Sequence, residues 1–249
     1  TSQRNTWTTG YQYDVNNNLT HLTNAQGNVR EMRFDGLKRP VYLNDPDRGE
    51  RFYTYDDASN LIAMRDARGQ ETRYTYDGAN RIVGEDYLDE GSPFSTGRSP
   101  DIVYAYDTPT GLVDIGAGTL ATAEYTGGRL VYVQDGAGEY FVSYDSAGGT
   151  SWMVRTLVDR GTGVEQRFTS WTAWDTIGRL VGYQFPDGDN IELFYNDLGV
   201  LEQITGGELV HPDQYPNILA DTEQTPSGQT LRTVYGNGLE SSYTYDLRG

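Results

Sequence analysis

Four short stretches decide the fold: Tyr11-Gln12-Tyr13-Asp14, Met32-Arg33-Phe34-Asp35, Tyr53-Thr54-Tyr55-Asp56 and Tyr74-Thr75-Tyr76-Asp77. Their aspartates stand at 14, 35, 56 and 77, a constant step of 21 residues. Six residues beyond the second aromatic of each comes Leu19, Pro40, Leu61 or Ile82. An acid or amide follows the first three aspartates ten residues later, at Asn24, Asp45 and Asp66, with Gly27, Gly49 or Gly69 just beyond. Four copies in register define a repeat protein, and the rest of the chain is read against that period.

Each copy has a local physical meaning. Alternating aromatic and polar residues that end in Asp describe a half-buried strand stopping at a turn. Asp and Asn punctuate strand ends because their side chains accept hydrogen bonds from turn N–H groups. The first turn is Val15-Asn16-Asn17-Asn18 in the first copy and Asp57-Ala58-Ser59-Asn60 in the third. Short return strands follow, Leu19-Thr20-His21-Leu22-Thr23 and Leu61-Ile62-Ala63-Met64-Arg65. A second turn, Asn24 to Asn28 or Asp66 to Gln70, carries the glycine that such turns need for positive φ. One period is thus two strands and two turns, and the expected fold is all-β, a repetitive antiparallel meander.

These phrases resemble the YD repeats of the RHS family, whose Tyr-Asp pair stands here at 13–14, 55–56 and 76–77. The resemblance implies a long β-sheet wound into a hollow shell or cocoon, as in the shell components of insecticidal toxin complexes and in the teneurins. In bacterial members such a shell encloses a C-terminal toxin. A secreted or cell-surface location, with a toxin polypeptide or further repeats of the same shell as partners, comes with that resemblance. So does a comparison of Tyr106-Asp107-Thr108-Pro109-Thr110-Gly111 with the start of the family's self-cleaving core. The Asp-Pro-x-Gly phrase expected downstream is replaced by Asp114-Ile115-Gly116, so residues 106–118 read as a repeat variant with a long turn.

Composition agrees with a thin sheet. Of 249 residues 36% are apolar, while tyrosine supplies 20 and glycine 30, which suits many turns and amphipathic faces better than a thick core. Without cysteine, thiolate and disulfide chemistry are excluded. No apolar run approaches the roughly 20 residues that a spanning helix requires. No signal-peptide pattern opens the chain, which starts and stops within repeat-like sequence and reads as a section of something longer. A net charge of −17, with Lys38 the only lysine, argues against nucleic acid or an anionic membrane as partner. That charge reads first as a solvated acidic surface, and otherwise as an acidic inner wall for a basic cargo.

In chain order, residues 1–10 read as the end of a preceding repeat and 11–86 as four regular copies. Residues 87–103 read as an extended loop at a hairpin tip, a place where repeat scaffolds accept insertions. The phrase resumes at Tyr104-Ala105-Tyr106-Asp107, then degenerates over 108–141. There Thr119–Tyr125 and Arg129–Val133 read as strands joined through Gly127-Gly128, a hairpin signal, with another pair meeting at Asp135-Gly136-Ala137-Gly138. Regular copies return at Val142 to Asp145, Thr172 to Asp175 and Leu193 to Asn196. Residues 206–230 form a second irregular excursion, with Pro212 to Leu219 its one candidate for a short helix, and Tyr243-Thr244-Tyr245-Asp246 opens a last copy. The whole of 1–249 is read as one YD-repeat segment.

No catalytic, cofactor-binding or metal-ligating residue is assigned. The two histidines, His21 and His211, stand in no nucleophile motif, and His21 takes the repeat position of Tyr42. Asp14-x-Asn16-x-Asn18 imitates the start of a calcium loop, but Leu19 and Ala25 stand where that loop needs Gly and Glu. Asp187-Gly188-Asp189 reads as a hairpin turn. The leading reading is a structural, non-enzymatic shell section; the alternative is an extracellular repeat module that binds a saccharide or a protein. The alternative needs aromatics outside the repeat phase, such as Trp152 and Trp171, gathered in one exposed patch. Three physical expectations follow. Tyr55 and Tyr76 should be largely buried, and exposed sheet edges should promote edge-to-edge self-association. Equivalent strands should be separated by an antiparallel return strand, about 10 Å apart rather than the roughly 4.8 Å of a β-helix.

Overall fold

The computed structural model describes residues 7–88, 100–206, 217–225 and 227–246. The chain divides into two compact units, Thr1–Tyr104 and Ala105–Gly249. In the first, the period becomes strands β1 (Gly10–Tyr13), β2 (Leu19–Thr23), β3 (Val29–Phe34), β4 (Pro40–Asp45), β5 (Gly49–Tyr55), β6 (Leu61–Arg65), β7 (Glu71–Tyr76) and β8 (Ile82–Leu88). Each pairs antiparallel with the next, and β9 (Ile102–Tyr106) continues the series through Ile102 and Val103 against β8. A return strand therefore stands between every two equivalent strands. The meander is the observed architecture, and a parallel β-helix is excluded.

The turns explain the invariant aspartate. Asp14 N–H donates to the Asn18 carbonyl, Asn17 N–H donates to the Asp14 carbonyl, and Asn17 takes φ 64°. The same geometry recurs from Asp35, Asp56 and Asp77, with Lys38, Ser59 and Asn80 at the left-handed position. This is a type I turn closed by a left-handed residue, a common three-residue hairpin connection. Second turns at Asn24 and Asp66 repeat it with Gly27 and Gly69, whose missing Cβ removes the steric cost. Just before each first turn the ladder slips by one residue, between Gln12 and Tyr13, Arg33 and Phe34, Thr54 and Tyr55, and Thr75 and Tyr76. Such a bulge leaves one residue of the return strand unpaired and bends the strand.

This unit is a single layer. In β5 the side chains alternate, with Tyr53 and Tyr55 half-buried on one face and Phe52 and Thr54 exposed on the other. The expectation of largely buried repeat tyrosines is corrected to half-buried for Tyr55 and Tyr76, and Tyr13 is 56% exposed. The cause is that, among the described residues of this unit, no second layer packs over them. Trp7 to Thr9 form no strand, and residues 1–6 lie outside the described residues, as does the body of the loop expected over 87–103. That loop is shorter than expected, because β8 runs to Leu88 and β9 starts at Ile102.

The second unit holds β10 (Leu112–Asp114), β11 (Leu120–Thr122), β12 (Leu130–Asp135), β13 (Gly138–Tyr144), β14 (Thr150–Val158), β15 (Glu165–Trp174), β16 (Leu180–Gln184), β17 (Asn190–Tyr195), β18 (Leu201–Gly206), β19 (Asn217–Gln224), β20 (Thr230–Tyr235) and β21 (Glu240–Ser242). From β12 to β21 the antiparallel meander continues, with the expected turn at Asp135 to Gly138. Two expectations change. β11 pairs with β10, not with β12, so Gly127-Gly128 is a connection and not a hairpin tip. The 206–230 region contains the regular strand β19 and an ordinary turn from Thr225 to Gln229, and Asn217 to Leu219 are strand where a short helix was a candidate. Residues 211–216 of that candidate lie outside the described residues.

The β10–β11 hairpin leaves the meander and lies over it. Val113 and Ala123 pack with Val131, Trp152 and Val154 into a buried cluster flanked by Ile115, Ala121, Phe141 and Trp171. This is a local two-layer core, and each fully buried valine in it is worth about 1.5–3 kcal/mol. Val113 of the hairpin and Trp152 of the meander cover each other in this core.

Candidate functional site

Two features could carry function, a ladder that joins repeats and a pocket beside the β10–β11 hairpin. The ladder starts from the second aromatic of each phrase. Tyr55 Oη donates to the Pro40 carbonyl and Tyr76 Oη to the Leu61 carbonyl, both at 2.9 Å. In the second unit Tyr144 reaches Leu130 at 2.8 Å, Tyr195 reaches Leu180 at 2.9 Å and Tyr245 reaches Thr230 at 2.8 Å. Trp174 does the same through Nε1 to the Thr150 carbonyl at 2.7 Å. Each acceptor is the first residue of the return strand in the copy before, and at Pro40, Leu61, Thr150, Leu180 and Thr230 it stands beside a bulge in the ladder. Burial raises the tyrosine pKa at Tyr55, Tyr76 and Tyr144, keeping these hydroxyls protonated as donors.

The aspartate and the residue four positions later complete the joint. Asp35 Oδ1 accepts the N–H groups of Leu37 and Arg39, and Oδ2 accepts Arg39 Nε at 2.7 Å. The Arg39 guanidinium lies 4.7 Å from the ring centre of Tyr55 and also donates to the Asp56 carbonyl of the next copy. Asp175, Arg179 and Tyr195 repeat the arrangement, with the guanidinium 4.5 Å from the ring. Where the fourth residue is Asn60, its amide bonds Asp56 and reaches Asn80 in the following copy. Backbone N–H donors lead in holding Asp14, Asp35, Asp77 and Asp175 below the usual carboxylate range, and the Asn60 amide leads at Asp56.

The pocket has a volume of about 750 Å³ and lies between the turn after β10, the face of β15 and the turn after β16. Arg167 is among its lining residues, with Nη1 2.8 Å from Asp114 Oδ2 and Nη2 2.7 Å from Glu165 Oε1. Asp114 Oδ1 accepts the Gly116 N–H, which fixes the overhanging turn. Trp171 and Phe185 supply the apolar wall, and Tyr183 meets Phe185 edge-on with centroids 4.7 Å apart.

The residues singled out in the sequence are placed as follows. Asp14 spends its oxygens on Asn16 and Asn18, so the imitation of a calcium loop is a turn cap. Among the described residues no group of three His, Cys, Asp or Glu is positioned to hold a metal ion. Asp187 and Asp189 lie in a turn closed between Phe185 and Asp189, with Asp187 accepting the Asp189 N–H. His21 sits on β2 with Nδ1 beside the Thr20 hydroxyl, and His211 is outside the described residues. Trp152 and Trp171 do meet, as direct cross-strand partners. They are not an exposed patch, since Trp152 is only 5% exposed and belongs to the core. Arg167 and Gln184 were missed, because nothing in their local sequence separates them from other strand residues.

Comparison with known proteins follows this geometry. The RHS Repeat family model matches residues 1–49 and 55–90. No curated protein matches the sequence. Among solved structures, a crystal structure of TcdB2-TccC3 superposes with a TM-score of 0.80 at 16% identity, over 97% of this chain and 12% of that one. A Photorhabdus luminescens Tc holotoxin pore carrying a TccC3 substitution gives 0.79 at 16% identity, over 96% and 12%. The chain thus spans about an eighth of the length of these structures, and at that identity the likeness is one of fold. Residues 1–49 and 55–90 are thus similar to RHS repeats, and the chain as a whole shares the fold of these Tc toxin structures.

Proposed function

We propose that residues 1–249 act as one YD-repeat section of a shell wall, which in a longer chain encloses a toxin or similar polypeptide. The observation that carries this reading is the backward clip from Tyr55, Tyr76, Tyr144, Tyr195 and Tyr245 to the preceding copy. A joint of one geometry, used by successive copies, lets a sheet be lengthened without redesign, which is the property of a wall. The likeness to Tc toxin structures supports the same reading. The section supplies containment and not catalysis, and its partners are cargo and neighbouring repeats, in a secreted or surface-exposed assembly. Each such hydrogen bond between copies is worth a net gain of about 0.5–1.5 kcal/mol.

The test is electron microscopy of the longest native chain that contains this segment, together with limited proteolysis. A closed wall around internal density is expected, with the enclosed polypeptide resistant to protease until Tyr76→Ala and Tyr195→Ala together loosen the wall. An open sheet with no internal density, and a downstream polypeptide cleaved as fast as in isolation, would overturn the reading.

A further inference from the structure

We propose that the pocket between the β10–β11 hairpin and strand β15 is a binding site for a neutral saccharide, independent of the role as a wall. The pocket is built, not incidental. Its walls come from three separated segments, and its volume of about 750 Å³ falls within the roughly 300–1,000 Å³ of small-molecule sites. The register sets Trp171, Thr169, Arg167 and Glu165 on one face of β15, because they pair with Trp152, Val154, Thr156 and Val158 in turn. That is the face on which the hairpin rests, so the overhanging turn closes one side of the row.

The chemistry of the lining selects the ligand class. Charge comes first: Arg167 lies between Asp114 and Glu165, so the three groups sum to about −1 and repel an anion at the only cation of the pocket. A cationic ligand is disfavoured too, since the carboxylates already hold a guanidinium. What remains is hydrogen-bonding capacity. The Thr169 hydroxyl, the Gln184 amide and Glu165 Oε2 line or border the pocket and have no protein partner among the described residues. A hydroxyl, an amide and a carboxylate oxygen together offer donors and acceptors in the mixture that vicinal sugar hydroxyls require. The half-buried Trp171 and the exposed Phe185 add the second element. Ring faces are electron-rich, and the C–H face of a pyranose is weakly positive, so the two stack while the hydroxyl rim reaches the polar groups. Apolar wall and polar rim in one cleft describe a sugar better than a peptide strand, whose backbone would need an unpaired sheet edge. Binding, not hydrolysis, is proposed, because the guanidinium fills the space between the carboxylates where a scissile oxygen would have to lie.

The experiment uses the 249-residue chain and a glycan panel of maltotetraose, cellotetraose, chitotetraose and lacto-N-tetraose, read by isothermal titration and by tryptophan fluorescence. At least one should bind with Kd tighter than about 1 mM, with a change in Trp171 emission that Trp171→Phe abolishes. Gln184→Ala and Glu165→Ala, both on the solvent side of the cleft, should each weaken binding about 10-fold while the thermal midpoint stays put. Three results would overturn the proposal: no panel member binding, binding unaffected by both variants, or tetra-arginine peptide competing better than any sugar. The last would assign the cleft to a basic side chain instead.

Discussion

Replacing Tyr76 by phenylalanine isolates the clip from the packing around it. The change removes Oη, which donates to the Leu61 carbonyl at 2.9 Å, and keeps the ring. Leu61 pairs with Tyr55, yet the register has just passed from Ala63 opposite Thr54, so Ile62 is skipped and the local ladder is open. The contact is part-buried, and a hydrogen bond of that kind contributes about 0.5–1.5 kcal/mol net, so a loss near 1 kcal/mol is expected. With a urea slope of roughly 2 kcal/mol/M, the midpoint followed by circular dichroism should fall by about 0.5 M at unchanged slope. Tyr53→Phe is the matched control, since its hydroxyl has no protein partner among the described residues, and should stay within about 0.5 kcal/mol of the wild type. Phe34→Tyr is the reciprocal change, adding a hydroxyl in the phase that points to the Leu19 carbonyl; a gain of about 0.5–1 kcal/mol is expected. Equal shifts for Tyr76→Phe and Tyr53→Phe, with no gain at Phe34→Tyr, would refute the clip as a source of stability.

Four further outcomes can be checked. Gly138→Ala would place its Cβ against the Thr156 carbonyl and should cost about 2–3 kcal/mol, read as a drop in urea midpoint; an unchanged midpoint would mean the β12–β13 turn is free to shift. Tyr132, through burial and then its bond to Glu139, and Tyr87, through its bond to Glu85 and then burial, are both pushed up to about 12. A raised folded pKa stabilises fully below the ordinary tyrosine value near ~10 and is lost as pH climbs to about 12, so tyrosinate absorbance should lag in the native state and revert in denaturant. Asp14, Asp35, Asp56, Asp77 and Asp175 carry the opposite sign: their depressed values stabilise above about pH 4, and the urea midpoint should decline as pH falls through and below that value, a flat profile arguing against the turn caps. Strand β1 pairs only with β2 among the described residues, so sedimentation should show association rising with concentration, and a strict monomer would count against an open edge.

The strands were legible because their causes are local. Leu19–Thr23 and Leu61–Arg65 are bounded as the turn residues indicate, since Asp14 and Asp56 close their turns with their own side chains. The β10–β11 hairpin was not legible, for the opposite reason. Its position depends on Val113 and Ala123 meeting Val131, Trp152 and Val154, partners distant in sequence, and the local Gly127-Gly128 signal points to another pairing. The aromatic phase showed that Tyr55 and Tyr76 matter but suggested burial as the reason, whereas the hydroxyl and its acceptor 15 residues upstream carry the role. Only the bulge reveals that acceptor. For the pocket, the sole signal was two tryptophans out of phase; the register that aligns Trp171 with Arg167 belongs to the folded sheet.

The clip has a direction, and that bears on how such a wall is made. Every hydroxyl reaches toward the N-terminus, to a carbonyl 14 or 15 residues behind it. A copy emerging from the ribosome therefore finds its acceptor already synthesised and already bent by the earlier bulge, while the acceptor waits for nothing that lies ahead. Loop closure over so few residues takes of the order of 10–100 ns, far faster than the chain is extended at about 5–20 residues per second. That direction suits vectorial growth, in which each copy docks on the one made before it.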